Sequence, residues 1–263
     1  MDLGLRDKVA VVTGGSRGIG RMTALRLAEE GCKVAVCARG DEGVKAAVEE
    51  LRAARGAPGS ERRVFGLALD VTAVGEVERF VAEAAAALGG VDLLVANVGG
   101  SAGGELMDST PEDWVRTFEL NLFHAVRALR AAVPHMRARG GGSAVVISSI
   151  SGWKAGPRTQ YGSAKAAEIF LSSGLAWELG KDRIRVNTVS PGSTLFPGGG
   201  WERTKTNEPE RFAAFESREF PLGRLGTAEE IADVVTFVLS PRAGWINGAN
   251  VPVDGGQGRP SAF

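Results

Sequence analysis

One tyrosine, two histidines and two cysteines are all that this chain of 263 residues holds of those reactive side chains. Two cysteines rule out a disulfide-built scaffold. Cys32 and Cys37 bracket an apolar run at an odd spacing, which turns them to opposite faces of a strand, so two buried thiols are expected rather than a bridge. His124 and His135 lie on a long helical pattern with no Cys, Asp or Glu at ligand spacing, and no metal centre is expected. Charge of one sign is also missing: 31 basic residues balance 31 acidic ones, without a block of either. Nucleic-acid and membrane-surface partners are therefore not expected. No apolar run reaches spanning length, and the first eight residues, Met1 to Lys8, are charged and lack a signal core. A cytoplasmic protein is the expectation.

What is present is ordinary core-forming material, 44% hydrophobic and 24% charged. Apolar runs at 9–12, 33–37, 64–69, 91–96, 144–148, 184–189 and 249–253 read as strands. Most are continuous rather than alternating, as strands covered on both faces are. Helical patterns fall between them, at 19–30, 42–54, 74–88, 111–136, 160–179 and 228–239. The alternation predicts one α/β domain over 1–263, a doubly wound, seven-stranded parallel sheet with helices on both faces. Glycine-rich breaks at 56–59, 140–142 and 198–200 read as loops within it. The segment 193–226 departs from the rhythm and carries Trp201, Phe212, Phe215 and Phe220 among basic residues. Beyond the carboxyl end of a strand, so long an insertion reads as a substrate lid.

Two patterns carry chemistry. After the first strand comes Thr13-Gly14-Gly15-Ser16-Arg17-Gly18-Ile19-Gly20, opening directly into a helix. Glycines let a backbone approach a pyrophosphate, and the helix start offers unpaired N–H groups to its charge. The single tyrosine stands in Tyr161-Gly162-Ser163-Ala164-Lys165, one helical turn before a lysine. A cation beside a phenol favours the phenolate, which suits proton exchange near neutral pH.

The glycine spacing, Gly-x-x-x-Gly-x-Gly, resembles that of the short-chain dehydrogenase/reductase superfamily, including its 3-oxoacyl-carrier-protein reductase-like and glucose dehydrogenase-like members. Further matches follow in order: Asp70-Val71, Asn97-Val98-Gly99, Asn121, Ser148-Ser149-Ile150-Ser151-Gly152, Tyr161 and Lys165, Asn187 to Gly192, and Val253-Asp254-Gly255-Gly256. Ala96 and Val98 depart from the family's Asn-Asn-Ala-Gly, in a region expected to prop the sheet with little functional loss. The resemblance implies a Rossmann fold and a catalytic set of Asn121, Ser149, Tyr161 and Lys165. Spacing to the tyrosine selects Ser148, whereas the Ser-x-x-Gly pattern selects Ser149. Adjacent strand residues face opposite ways, so one alone can serve, and the expectation is Ser149.

The resemblance further implies dinucleotide contacts from Gly14, Ser16, Arg17, Gly18, Ile19, Gly20, Asp70, Val71, Asn97, Gly99, Tyr161, Lys165, Pro191, Gly192 and Thr194. NAD-preferring members carry an acid at the end of the second strand, where this chain has Ala38 followed by Arg39. A guanidinium there suits a 2′-phosphate, so NADP is the expected cofactor, while Asp41 leaves NAD possible. The implied reaction is hydride transfer between a small-molecule carbonyl and its alcohol, in a homotetramer. Trp153 and the lid aromatics suggest an apolar or cyclic substrate. A dinucleotide sensor without turnover is the alternative, but such proteins typically lose the tyrosine or lysine. Sugar-nucleotide epimerases or dehydratases are another, but those relatives carry a larger C-terminal domain.

Overall fold

The computed structural model describes residues 1–54 and 63–259; the glycines at 56–59 lie outside them. The first elements are β1 Val9–Thr13, α1 Gly18–Glu29, β2 Lys33–Ala38, α2 Asp41–Ala53, β3 Val64–Ala68, α3 Glu76–Leu88 and β4 Leu93–Ala96. Next come α4 Pro111–Phe118, a π-helical turn Glu119–Phe123, α5 His124–Ala138, β5 Gly142–Ile147, α6 Thr159–Leu179 and β6 Ile184–Pro191. The chain then runs through β7 Thr194–Leu195, α7 Gly200–Asn207, α8 Pro209–Glu219, β8 Gly226–Thr227, α9 Ala228–Leu239 and β9 Asn250–Val253.

The seven apolar runs pair in parallel in the order β3-β2-β1-β4-β5-β6-β9, the doubly wound sheet that the alternation predicted. Alternate strand residues feed two separate cores. Val9, Val11, Ala35, Leu94, Ala144 and Val146 pack with α3, α5 and the end of α6. Ala10, Val12, Val34, Leu93, Val95 and Val145 pack with α1, α2 and α9. Cys37 belongs to the first core and Cys32 to the second, so the sheet itself separates the two thiols. Burial pushes the Cys37 thiol up to about 12, which leaves it protonated and inert.

Two stretches differ from their sequence reading. The predicted helix 111–136 is two helices joined by the π turn. The insertion 193–226 holds β7, β8, α7 and α8, and its aromatic residues pack chiefly on one another. Trp201 stacks on Phe215 at 4.4 Å between ring centroids, Phe215 meets Phe220 edge-on at 5.3 Å, and Phe212, Phe220 and Leu225 are buried with them. Those rings build a third small core.

β1 has β2 on one side and β4 on the other, so strand order reverses between β1 and β4. At such a reversal the connections leave to opposite faces, opening a crevice at the carboxyl ends of the strands.

Candidate active site

The crevice begins where β1 ends. Asn97, just past β4, spans it: its backbone N–H donates to Thr13 Oγ1 at 3.0 Å, and its side-chain amide donates to the carbonyls of Thr13 and Gly14 at 3.1 and 3.2 Å. Asn97 is thereby spent on joining two strand ends. Gly14 turns with φ +70°, a left-handed conformation that favours glycine. A side chain at Gly20 would stand 2.3 Å from the Gly14 carbonyl oxygen, so the first turn of α1 lies directly on the loop.

The loop and helix fit a dinucleotide's pyrophosphate. Arg17 precedes α1 in an extended conformation without a side-chain cap, and no acidic residue occupies the first turn. The opening N–H groups and the positive end of the helix dipole are left for an outside anion. Ser16 and Ile19 are half-buried along this loop, and Arg17 is exposed. Phe196, from the segment after β7, lies over Gly18, where an added Cβ would come within 2.9 Å of its ring.

The ends of β2 and β3 come next along the sheet. Arg39 is exposed just beyond β2. Asp70 accepts from the Thr72 N–H at 2.9 Å and the Thr72 hydroxyl at 2.8 Å. Those bonds hold its carboxyl below the usual range, with help from the Arg39 and Arg116 charges. Val71 is buried behind it. On the other flank, Gly192 N–H bonds Val253 at 3.1 Å, and buried Thr194 donates to the Gly192 carbonyl at 3.1 Å. Pro191 closes β6.

The chemistry-bearing residues gather at the centre. Tyr161 and Lys165 share one face of α6, with the ammonium nitrogen 5.7 Å from the phenol ring centroid. Arg158, three residues before Tyr161, starts the helix at φ +67° and donates to Ser101 Oγ at 3.1 Å. Asn121 sits in the π turn, where one extra residue per turn redirects its side chain. Its amide donates to the carbonyls of Thr117 and Gly100, each at 2.6 Å, and its Oδ1 accepts from Gly100 N–H at 3.3 Å. A side-chain carbon at Gly99 would stand 2.8 Å from Asn121 Oδ1 and 3.0 Å from Lys165 Nζ. Asn121, Gly99 and Lys165 thus converge on one point.

The two serines part company as their adjacency requires. Ser148 is buried, donates to the Lys165 carbonyl at 2.8 Å and lies against Glu168. Ser149 is half-buried and accepts from Ser151 N–H at 3.1 Å, so its own proton is not spent on that bond.

Three residues outside the sequence reading of the site bear on it. His124, at the start of α5, is fully buried and links the crevice floor to the π turn. Its Nε2 lies 3.3 Å from Thr13 Oγ1 and its Nδ1 2.8 Å from the Asn121 carbonyl. Burial and the Lys165 charge bring it down to about 4, so the ring is neutral. Gln160, buried beside Tyr161, donates to the carbonyls of Ala102 and Gly104 at 2.8 and 3.0 Å and so fixes the loop after β4. Glu168 is buried against Lys165; its trace in the sequence is an acid three residues after that lysine.

The family model described as enoyl-(acyl carrier protein) reductase matches residues 14–257. The chain is 36% identical over 257 residues to dehydrogenase/reductase SDR family member 4 of Bos taurus, which covers 96% of this chain and 88% of that protein. Among solved structures, L-sorbose reductase from Gluconobacter frateurii, complexed with NADPH and L-sorbose, matches with a TM-score of 0.91 and 34% identity, covering 99% of this chain and 100% of that one. A 7α-hydroxysteroid dehydrogenase, complexed with NADH and 7-oxo glycochenodeoxycholic acid, matches at 0.88 and 30%, covering 97% and 96%.

Proposed function

The chain belongs to the short-chain dehydrogenase/reductase superfamily, and we propose that it reduces a ketone with NADPH through Tyr161, Lys165, Ser149 and Asn121. It is an NAD(P)-dependent oxidoreductase that interconverts a carbonyl compound and an alcohol. The observation that carries the residue-level reading is the convergence of Tyr161, Lys165, Asn121 and Gly99 at the strand-order reversal, beside an uncapped glycine-rich helix start.

The dinucleotide's pyrophosphate would lie on the loop Gly14 to Gly20, its adenine beside Asp70 and Val71, and its nicotinamide end between Gly99, Lys165 and the Pro191 to Thr194 edge. What such a cofactor supplies when bound is hydride exchange with a carbonyl-level carbon. The protein's share is proton management and orientation. Tyr161 O–H gives its proton to the substrate oxygen as charge develops there. Ser149 O–H donates to the same oxygen and holds it in place. The Lys165 ammonium lies 5.7 Å from the phenol ring centroid and would hold the nicotinamide ribose, with Asn121, anchored in the π turn, near it across Gly99. Arg39 favours NADPH by meeting a 2′-phosphate; the NADPH complex of L-sorbose reductase supports this choice.

The segment 193–226 acts as the lid, with Phe196 as its contact to the glycine loop. Its aromatic core makes it a stiff flap rather than a floppy one. Exposed aromatic side chains support assembly into a homotetramer. Phe170 and Trp177, two turns apart on α6, are 80% and 90% exposed, and Trp245, beyond α9, is fully exposed.

Tyr161→Phe tests the reading against a panel of ketones, with NADPH consumption followed by absorbance. Turnover falls by roughly 10²-fold or more while NADPH still binds. Near-normal turnover would reject Tyr161 as the proton donor.

A further inference from the structure

We propose that Glu168 is a positioning residue of this site: it grips the Lys165 ammonium from the buried side, offsets its charge, and so sets the pH at which Tyr161 passes its proton. The inference rests on the proposed role of Tyr161.

The geometry is specific. Glu168 follows Lys165 by three residues on α6, which puts both on one face. Lys165 Nζ lies 3.0 and 3.2 Å from the two carboxylate oxygens and 2.9 Å from the Ile147 carbonyl at the end of β5. Side-chain exposure is 2% for Lys165 and 1% for Glu168. An ammonium has three protons. The Ile147 carbonyl takes one and the carboxylate at least one, which leaves no more than one for the side facing Tyr161, Gly99 and Asn121.

A buried ion pair is no cheap route to stability, since apolar residues of similar volume often serve as well or better. Stability alone therefore gives little reason for an acid at this position. Electrostatics gives one. Tyr161 sees a cation 5.7 Å from its ring, and that cation is paired with a carboxylate at 3.0 Å. With one proton shared between the partners, the pair carries no net charge, whichever atom holds that proton. The phenol is then helped less than it would be by a lone ammonium.

The groups facing the carboxylate are few. α6 itself supplies Lys165, and the end of β5 supplies the Ser148 hydroxyl. His124, on α5, faces the lysine rather than the carboxylate: it feels the Lys165 charge and is held neutral. Burial raises the Glu168 carboxyl, and the Lys165 charge pulls it part of the way back.

The single tyrosine of this chain makes the test direct, because tyrosinate absorbance, or the resonance of ζ-carbon-labelled tyrosine, reports Tyr161 alone. Titrations are compared for the parent, Glu168→Gln and Glu168→Met, with thermal unfolding to establish that each is folded. The neutral variants shift the tyrosine titration to lower pH by about one unit or more. The rising limb of the pH profile for alcohol oxidation moves the same way. Coincident titrations in a folded neutral variant would overturn the proposal. Failure of both variants to fold would also overturn it, since the pair would then be a prop of the core. The titration needs no turnover, so a clear shift in a protein that converts no carbonyl compound would leave the coupling intact and sink only the Tyr161 reading.

Discussion

Replacing each of the adjacent serines by alanine separates the two hydroxyls by function. Ser149 accepts from Ser151 N–H at 3.1 Å, a bond that does not use its own proton, whereas the Ser148 hydroxyl donates to the Lys165 carbonyl at 2.8 Å. Losing one donor to a developing oxyanion costs about 3–4 kcal/mol, or roughly 10²–10³ in kcat. Ser149 also caps the short turn that follows β5, a loss of about 1 kcal/mol and only a few degrees in Tm for a chain of this size. Ser148→Ala removes a buried hydrogen bond and leaves a carbonyl less satisfied, which costs about 1–3 kcal/mol of stability. Its kcat stays within several-fold of the parent, because that hydroxyl faces α6 and not the crevice. Two measurements settle the matter: kcat at saturating ketone and NADPH, and a thermal melt on the same samples. A folded Ser148→Ala protein that lost two orders of magnitude in kcat, beside a near-normal Ser149→Ala, would reverse the assignment. Two near-normal variants would mean that neither hydroxyl meets the transition state.

Two other perturbations test the ends of the site. Arg39→Ala weakens NADPH binding by about tenfold or more, the worth of a charge-assisted hydrogen bond, and leaves NADH unchanged; equal Kd changes for both cofactors in a fluorescence titration would remove Arg39 from 2′-phosphate recognition. His124 is held down to about 4 in the folded protein, against an ordinary value near 6.5 in the unfolded chain. Between these values the unfolded state binds more protons, so the contribution of the neutral ring is intact above pH ~6.5 and is lost as pH falls toward ~4, by roughly 3 kcal/mol in all. Melting curves across that window show a steeper fall in Tm for the parent than for His124→Gln; parallel curves would contradict a buried neutral imidazole.

Phe196, Glu168 and the serine pair show why parts of the site were not readable in advance. Phe196 stands apart from the four aromatics that marked the lid, yet it is the one that reaches Gly18. Glu168 follows Lys165 at helical spacing, but nothing along the chain says whether such an acid turns to solvent or to that ammonium. The choice between Ser148 and Ser149 depended on two spacings that disagreed, and a one-residue difference in a loop leaves no mark in composition.

Local order and periodicity were enough to determine the parallel sheet, the glycine-rich start of α1 and the pairing of Tyr161 with Lys165. Each is a short-range matter: apolar runs that must be covered on both faces, glycines at a turn, two side chains one helical turn apart. Tertiary structure alone decided what those groups face. It brought Asn121 and Gly99 to the ammonium, set a carboxylate behind it, and spent one serine on a helix while leaving its neighbour to the crevice. Such contacts join residues far apart in the chain, and their energies depend on burial and distance, which exist only once the strands have closed around them.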